Sequence, residues 1–421
     1  MKSNIKVSII IPVYNAEEFI EECLDSAISQ TIENKEIICI DDGSSDYSFN
    51  ILQRYQKQYS YIKVFKQENR GAGEARNIGL KNAVGKYVSF LDADDFYLDS
   101  EALERMVSVC ENENVQICGG LRKVLEEGEL TDHFLYRDCF EGGKNLYGIV
   151  MQYKDYQDDY FYQNYIFSME MIRKNNICFP LYRRYQDAPF FVNVMLAAVK
   201  YKVQPIEFYG YRLSDKSLNR KGTYVEDILK GIRENALTAK KYHLDKLKTI
   251  LAYRIADEYS SWIINGVNDE VLQLLGEIQE VLFNRNCREI EDSDIQESSF
   301  EIVRSIAAGN LKGNHLGGYF EKKGIASVAV YGLGHYGKMA VSEIRKSDKI
   351  DIYGIDQRVQ ELEGVEIGTL DAINRKCTTI VVTPARDNHE IVNSIKTTWD
   401  GSVWGLYELV HKVESGDWNA G

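Results

Sequence analysis

A chain of 421 residues exceeds what one hydrophobic core organises, so two or three domains are expected. Apolar residues at 44% and charged residues at 27% are ordinary for a folded chain, and 5 prolines exclude long Pro-rich linkers. The formal charge of -14 excludes a nucleic-acid surface, which needs clustered Lys and Arg; it suits carboxylates gathered round a divalent cation, or simply an acidic solvated surface.

The opening run MKSNIKVSIIIPVYN is too short and too interrupted by Pro12 for a signal peptide. Residues 189–199, the longest apolar stretch, cannot cross a bilayer. The eight cysteines form no C-x-x-C pair, and Cys39 and Cys118 read as small hydrophobes in strands. A reduced cytoplasm is the expected compartment, with any membrane contact peripheral, at the inner face.

Residues 7–11 are a β-branched run and predict a buried strand. Asn15 with Glu18 has the spacing of a capping box, ahead of apolar residues at helical intervals from Ile20 to Ile28. A second buried strand over 36–40 ends in Asp41-Asp42-Gly43-Ser44-Ser45-Asp46, which opens another helix. The strand 62–65 leads through Asn69-Arg70-Gly71-Ala72-Gly73 to a helix stopped near Gly85, and the strand 87–91 runs into Asp92-Ala93-Asp94-Asp95. Strands alternating with helices indicate an α/β fold with a mostly parallel sheet, whose ligands sit beyond the carboxyl ends of the strands. Tyr14, Asp42 and Asp92 all fall there, so they are expected to converge. From residue 224 to about 285 the pattern is helical. At Ser327 the strand–helix rhythm restarts, with further buried strands over 352–356, 379–383 and 403–406.

The acidic turn holds the strongest chemical signal. A diphosphate leaving group carries charge that a divalent cation on aspartate oxygens neutralises while touching both phosphates. Three aspartates at a strand end also cap turns, so the motif alone decides little. A sugar hydroxyl in turn needs a base to take its proton.

Four segments occur in order: Ser8 to Asn15, Asp41-Asp42-Gly43-Ser44, Asn69-Arg70-Gly71 with Ala75-Arg76-Asn77-Ile78-Gly79, and Phe90 to Asp95. Together they resemble the family-2 glycosyltransferases of the GT-A fold over roughly the first 220 residues. The resemblance implies that Pro12 and Tyr14 line a base pocket beside Asn15, that Asp42 accepts from a pyrimidine N–H, and that Arg76 contacts the base or diphosphate. It implies nucleoside contact by Asp92, metal ligation (Mn2+ or Mg2+) by Asp94, and a diphosphate clamp at Arg212, in a Tyr211-Arg212 element followed by Ser217. Residues 177–191 resemble the stretch that ends in a Glu-Asp pair. Asp187 matches the second acid, the base, and Gln186 departs from the first. Helix capping by Asp187, a surface ion pair at Arg76 and plain packing of Tyr14 remain the structural alternatives.

Gly332-Leu333-Gly334-His335-Tyr336-Gly337 follows a strand, opens a helix and precedes a strand ending in Asp356, the context of a dinucleotide fingerprint. A second nucleotide site at Gly332, Gly334, Gly337 and Asp356, with His335 in the loop, stands beside a purely architectural role for this module. The expected layout is thus a GT-A Rossmann-like mixed sheet flanked by helices over 1–222, a helical connector over 223–320 and a small Rossmann-like α/β domain over 321–421. The expected activity is inverting sugar transfer from a nucleotide sugar, UDP-linked, to a saccharide or lipid-linked acceptor hydroxyl in surface polysaccharide synthesis. Peripheral membrane association and homo-oligomerisation are left open. The competing classes are a non-catalytic nucleotide-sugar sensor or scaffold, a nucleotidylyltransferase and an oxidoreductase.

Overall fold

The computed structural model describes residues 4–131, 147–213, 224–283, 293–374, 376–383, 388–399, 401–416 and 418. The chain forms two compact units, residues 1–220 with 230–238, and residues 221–229 with 239–421.

In the first unit, β1 (Val7–Val13) is buried along its whole length, as its apolar run requires. It lies parallel between β2 (Lys35–Asp41) and β4 (Tyr87–Phe90), and β3 (Ile62–Lys66) extends the sheet beyond β2. Helices α1 (Ile20–Ile28), α2 (Ser48–Gln58) and α3 (Ala72–Asn82) make the return connections. The carboxyl ends of β2, β1 and β4 therefore stand side by side. Apolar residues of α1 and of α4 (Ala102–Glu113) close one core with Ile9, Ile11, Ile37 and Cys39.

The other half of the sheet is antiparallel in part. It comprises β5 (Phe96–Tyr97), β6 (Ile117–Glu126), β7 (Glu129–Thr131), β8 (Val150–Met151), β9 (Tyr165–Ser168) and β10 (Tyr201–Arg212), in the overall order β3-β2-β1-β4-β9-β6-β10-β5 with β7 on β6 and β8 on β10. Sequence pattern marked only the run at Cys118 among these strands, because bulges between β6 and β10 break the alternation and β9 is only four residues long. Helices α5 (Met169–Lys174) and α6 (Asp187–Ala197) follow β9, and the helix α7 (Val225–Tyr242) contributes residues 230–238 to this unit. One local expectation fails. α1 begins at Ile20 with no side-chain cap, and Asn15 instead adopts a left-handed φ of 48° with Oδ1 accepting from the Ser45 amide at 2.8 Å. Its side chain ties the β1 loop to the β2 loop before any helix starts.

The second unit holds helices between residues 239 and 322, then a parallel sheet of β11 (Ser327–Tyr331), β12 (Asp351–Ile355), β13 (Glu366–Gly368), β14 (Thr379–Val382) and β15 (Ser402–Gly405), in the order β13-β12-β11-β14-β15. Among the described residues no helix is long and apolar enough to cross a membrane.

Close packing of α3 on the sheet depends on one missing side chain. A Cβ at Gly79 would lie 2.4 Å from Cγ2 of Ile10, itself fully buried in β1. Gly79→Ala should destabilise the first unit by about 1–3 kcal/mol through overpacking, read as a lower midpoint in thermal melts of the full chain.

Candidate active site

Arg76 lies in the middle of α3, 5% exposed, and donates from Nη2 to Asp92 Oδ1 at 2.7 Å. Its guanidinium also sits 5.3 Å from the ring centre of Tyr162 and 5.5 Å from that of Phe179. Burial opposes the charge, but Tyr162, Asp92 and Asp187 outweigh it and hold Arg76 above its ordinary range. This is not a surface ion pair. Its Nε and Nη1 find no hydrogen-bond partner in the described protein.

The acidic turn divides its labour. Asp92 takes Arg76 on one oxygen and Gln163 Nε2 at 3.1 Å on the other. Asp95 is buried, accepts from Tyr209 Oη at 2.7 Å and the Arg212 amide at 2.8 Å, and is raised well above the carboxylate range by burial and by its two acidic neighbours. Arg212 donates from Nε to the carbonyl of Asp94 at 3.0 Å and from Nη2 to Glu22 at 2.6 Å. Asp94 is half-buried at the tip of this turn, which β10 thereby holds from behind. Ser217, which follows Arg212 in the sequence motif, lies outside the described residues.

Asp187 is half-buried and opens α6, whose cap position, Gln186, makes no side-chain capping bond. Burial pushes its carboxyl above the ordinary range, Arg76 pulls it back, and Asp92 and Asp159 push it up again. Arg76 therefore feels both Asp92 and Asp187. The loop after β3 closes the other side: a Cβ on Gly73 would lie 3.1 Å from Gln186, and Arg183 Nη1 donates to Asn69 Oδ1 at 2.7 Å.

Asp42 is engaged by the loop after β3. It is 3% exposed, and its oxygens accept from Gln67 Nε2 at 2.6 Å and from the amides of Arg70 and Gly71, each at 2.8 Å. It anchors the loop that meets Gln186. Asp41, the last residue of β2, is fully buried; neither of its carboxylate oxygens has a hydrogen-bond partner in the described protein, and Lys66 Nζ stands 3.7 Å away. Tyr14 just beyond β1 is 51% exposed, whereas Pro12 pairs with Ile40 inside the sheet. Arg76 thus stands near both Asp92 and Asp187, while Tyr14 and Asp42 follow the ends of the neighbouring strands β1 and β2. Sequence reading overlooked Gln163, Tyr162, Asp159, Tyr185 and Tyr209, because they lie in segments without periodicity or deep in β10.

In the second unit, Gly332 has φ of 85°, and a Cβ on Gly337 would fall 1.9 Å from the Gly332 carbonyl. Asp356 Oδ2 accepts from the Leu333 amide at 2.6 Å and Oδ1 from the amides of Arg358 and Val359. Burial works against its charge, yet these amides hold its carboxyl below the usual range. His335 contacts Ser260 Oγ through Nε2 at 3.1 Å and Asp257 through Nδ1 at 3.4 Å. A Cβ on Gly334 would meet open space.

A half-parallel mixed sheet with an Asp-x-Asp turn bonded to a helix arginine defines the GT-A class of nucleotide-sugar fold. Solved structures agree: residues 1–349 of Staphylococcus aureus TarS, in complex with UDP-GlcNAc, superpose with a TM-score of 0.58 at 19% identity over 74% of this chain and 93% of that one. The family model for glycosyl transferase family 2 matches residues 8–175. The uncharacterized glycosyltransferase EpsJ of Bacillus subtilis is 31% identical over 215 residues, 50% of this chain and 62% of its own length. The poly(ribitol-phosphate) beta-glucosyltransferase of Bacillus spizizenii is 32% identical over 250 residues, 55% of this chain and 37% of its own length. The chain thus spans less than two thirds of these relatives.

Asp42→Ala should free the 69–73 loop. Arg70 is exposed and Gly71 half-buried, so water can take up the released amides and the loss is about 0.5–1.5 kcal/mol per hydrogen bond. Faster hydrogen exchange at Arg70 and Gly71, with unchanged exchange in β1, is the expected result.

Proposed function

We propose that the first unit is an inverting transferase that passes a sugar from a UDP-linked donor to an acceptor hydroxyl. The observation that carries this reading is the convergence of Asp92, Arg76 and Asp187. A buried guanidinium bonded to one acid and facing another offers positive charge beside the position where a diphosphate departs. Asp187 removes the acceptor proton as the hydroxyl attacks the anomeric carbon, and the bond to the diphosphate breaks in the same displacement. Its raised pKa suits a base that must hold a proton transiently.

Among the described residues no three His, Cys, Asp or Glu side chains are arranged to hold a metal ion. Asp94, half-buried in the acidic turn after β4, would be the residue to hold a Mn2+ or Mg2+ ion, a hard cation that prefers carboxylate oxygen. When bound, such an ion neutralises charge on the leaving diphosphate. Arg212 contributes by fixing the Asp94 backbone. At the base, Tyr14 offers an exposed ring for stacking. Asp42, just past the end of β2, is the candidate acceptor for an imide N–H and also anchors the loop at residues 70–71. The printed names of relatives, poly(ribitol-phosphate) beta-glucosyltransferase and minor teichoic acid biosynthesis protein GgaA, favour a polyol-phosphate or related surface polymer as acceptor.

UDP release from a panel of UDP-hexoses should require added Mn2+ or Mg2+, and Asp94→Ala should remove the metal-dependent rate. UDP binding without turnover across the panel would instead favour a non-catalytic sensor. Asp187→Asn should lower kcat by about 100-fold or more while UDP affinity holds, the usual scale for losing a general base. Because the base must be ionised and its pKa is raised, turnover should fall as pH drops through a value above about 4, the ordinary aspartate position. A flat rate from pH 4 to 7 contradicts the assignment.

A further inference from the structure

Behind Asp187 lies a second carboxylate that no motif marks. Asp159 is fully buried, a placement tolerated only with hydrogen bonds to its oxygens. The hydroxyl of Tyr185 donates to its Oδ2. Tyr185 is itself buried and has a left-handed φ of 61°, a conformation that is unfavourable for a bulky residue and persists only where the surroundings enforce it. The surroundings do so. Tyr160 meets its ring edge-on at 5.8 Å, and Gly231 of α7 leaves no room for a Cβ, which would lie 2.7 Å from Tyr185 Cδ1. Phe161, two residues past Asp159, is also left-handed at 72°. The Asp159–Tyr185 bond thus joins two constrained turns, and the second delivers Gln186 and Asp187 to the uncapped start of α6.

We propose that Asp159 and Tyr185 are a positioning pair for Asp187, fixing the turn that carries it and setting a buried negative charge behind it. This rests on reading Asp187 as the base. The groups facing Asp187 are Arg76 from α3, Asp92 from the turn after β4, and Tyr162 and Asp159 from the segment before β9. Arg76 favours the ionised base, and Asp92 and Asp159 oppose it. Gln186, which packs against Gly73, carries no charge with which to do the same. The pair therefore supplies from elsewhere in the chain what an acid at position 186 would supply from next door.

The test uses the full chain labelled with 13C at aspartate carboxyls, the Asp187 signal being the one absent from D187N. In D159N the Asp187 titration midpoint should fall by about half a pH unit or more, since a like charge is removed. Adding Q186E to D159N should raise it again. In parallel, UDP release from UDP-GlcNAc and UDP binding by calorimetry separate kcat from affinity. Tyr185→Phe keeps the ring and removes only the donated bond; kcat should drop about ten-fold at unchanged UDP affinity. A wild-type midpoint in D159N, or full kcat in Y185F, beside an inactive D187N overturns the pair alone. Full activity of D187N overturns the base itself and this proposal with it.

Discussion

A guanidinium held out of water in the middle of the first unit is the constraint from which the rest follows. Burying Arg76 is tolerable because Asp92 takes one of its amino groups at 2.7 Å and two aromatic rings face its plane. Removing either partner of such a pair leaves an uncompensated charge, at a cost of about 3–5 kcal/mol. The pair also joins α3 to the turn after β4, and so sets the acidic turn against the helix that follows the 69–73 loop. Asp187 reaches the same charge from α6. Three segments far apart in sequence are thereby placed by one cation, and both the site's geometry and its electrostatics inherit that placement.

Two further acids of the region are spent on backbone. Asp42 accepts the amides of Arg70 and Gly71, and Asp95 accepts the amide of Arg212. Asp356 in the other unit does the same for Leu333, Arg358 and Val359. The common cause is physical. Loops at the carboxyl ends of parallel strands carry N–H groups with no ladder partner, and a nearby aspartate is the cheapest acceptor. An acid just past a strand end is therefore ambiguous by pattern, because ligand and loop ask for the same residue at the same place.

That ambiguity marks the boundary of what was legible. The strands β1, β2 and β4 read directly, since their runs are almost wholly buried, and β3 showed as a short run with Ile62, Val64 and Phe65. The Asp-x-Asp turn and Arg76 were legible as motif, and their bond could be expected once adjacent strand ends were assumed. Beyond the run at Cys118, β5 to β10 were not, being short, bulged or interrupted by glycine pairs such as Gly119-Gly120, whose missing side chains admit Tyr165 and Phe208. Gln163 and Asp159 escaped for a related reason: they sit in irregular chain between β8 and β9, where no period singles out an inward-facing residue.

The glycines of the second unit show how a fingerprint separates into parts once backbone is in view. Gly332 needs its positive φ to turn out of β11, and Gly337 must lack a Cβ because the Gly332 carbonyl occupies that space. Both are required by the strand–helix crossing whether or not anything binds there. His335, meanwhile, is engaged by Ser260 and Asp257 rather than turned to an open cleft. Only Gly334 is unexplained by packing. A crossing that can be built from the same residues without a ligand gives the motif its architectural meaning first, and this is why the second unit is described by its sheet, while the first is described by its chemistry.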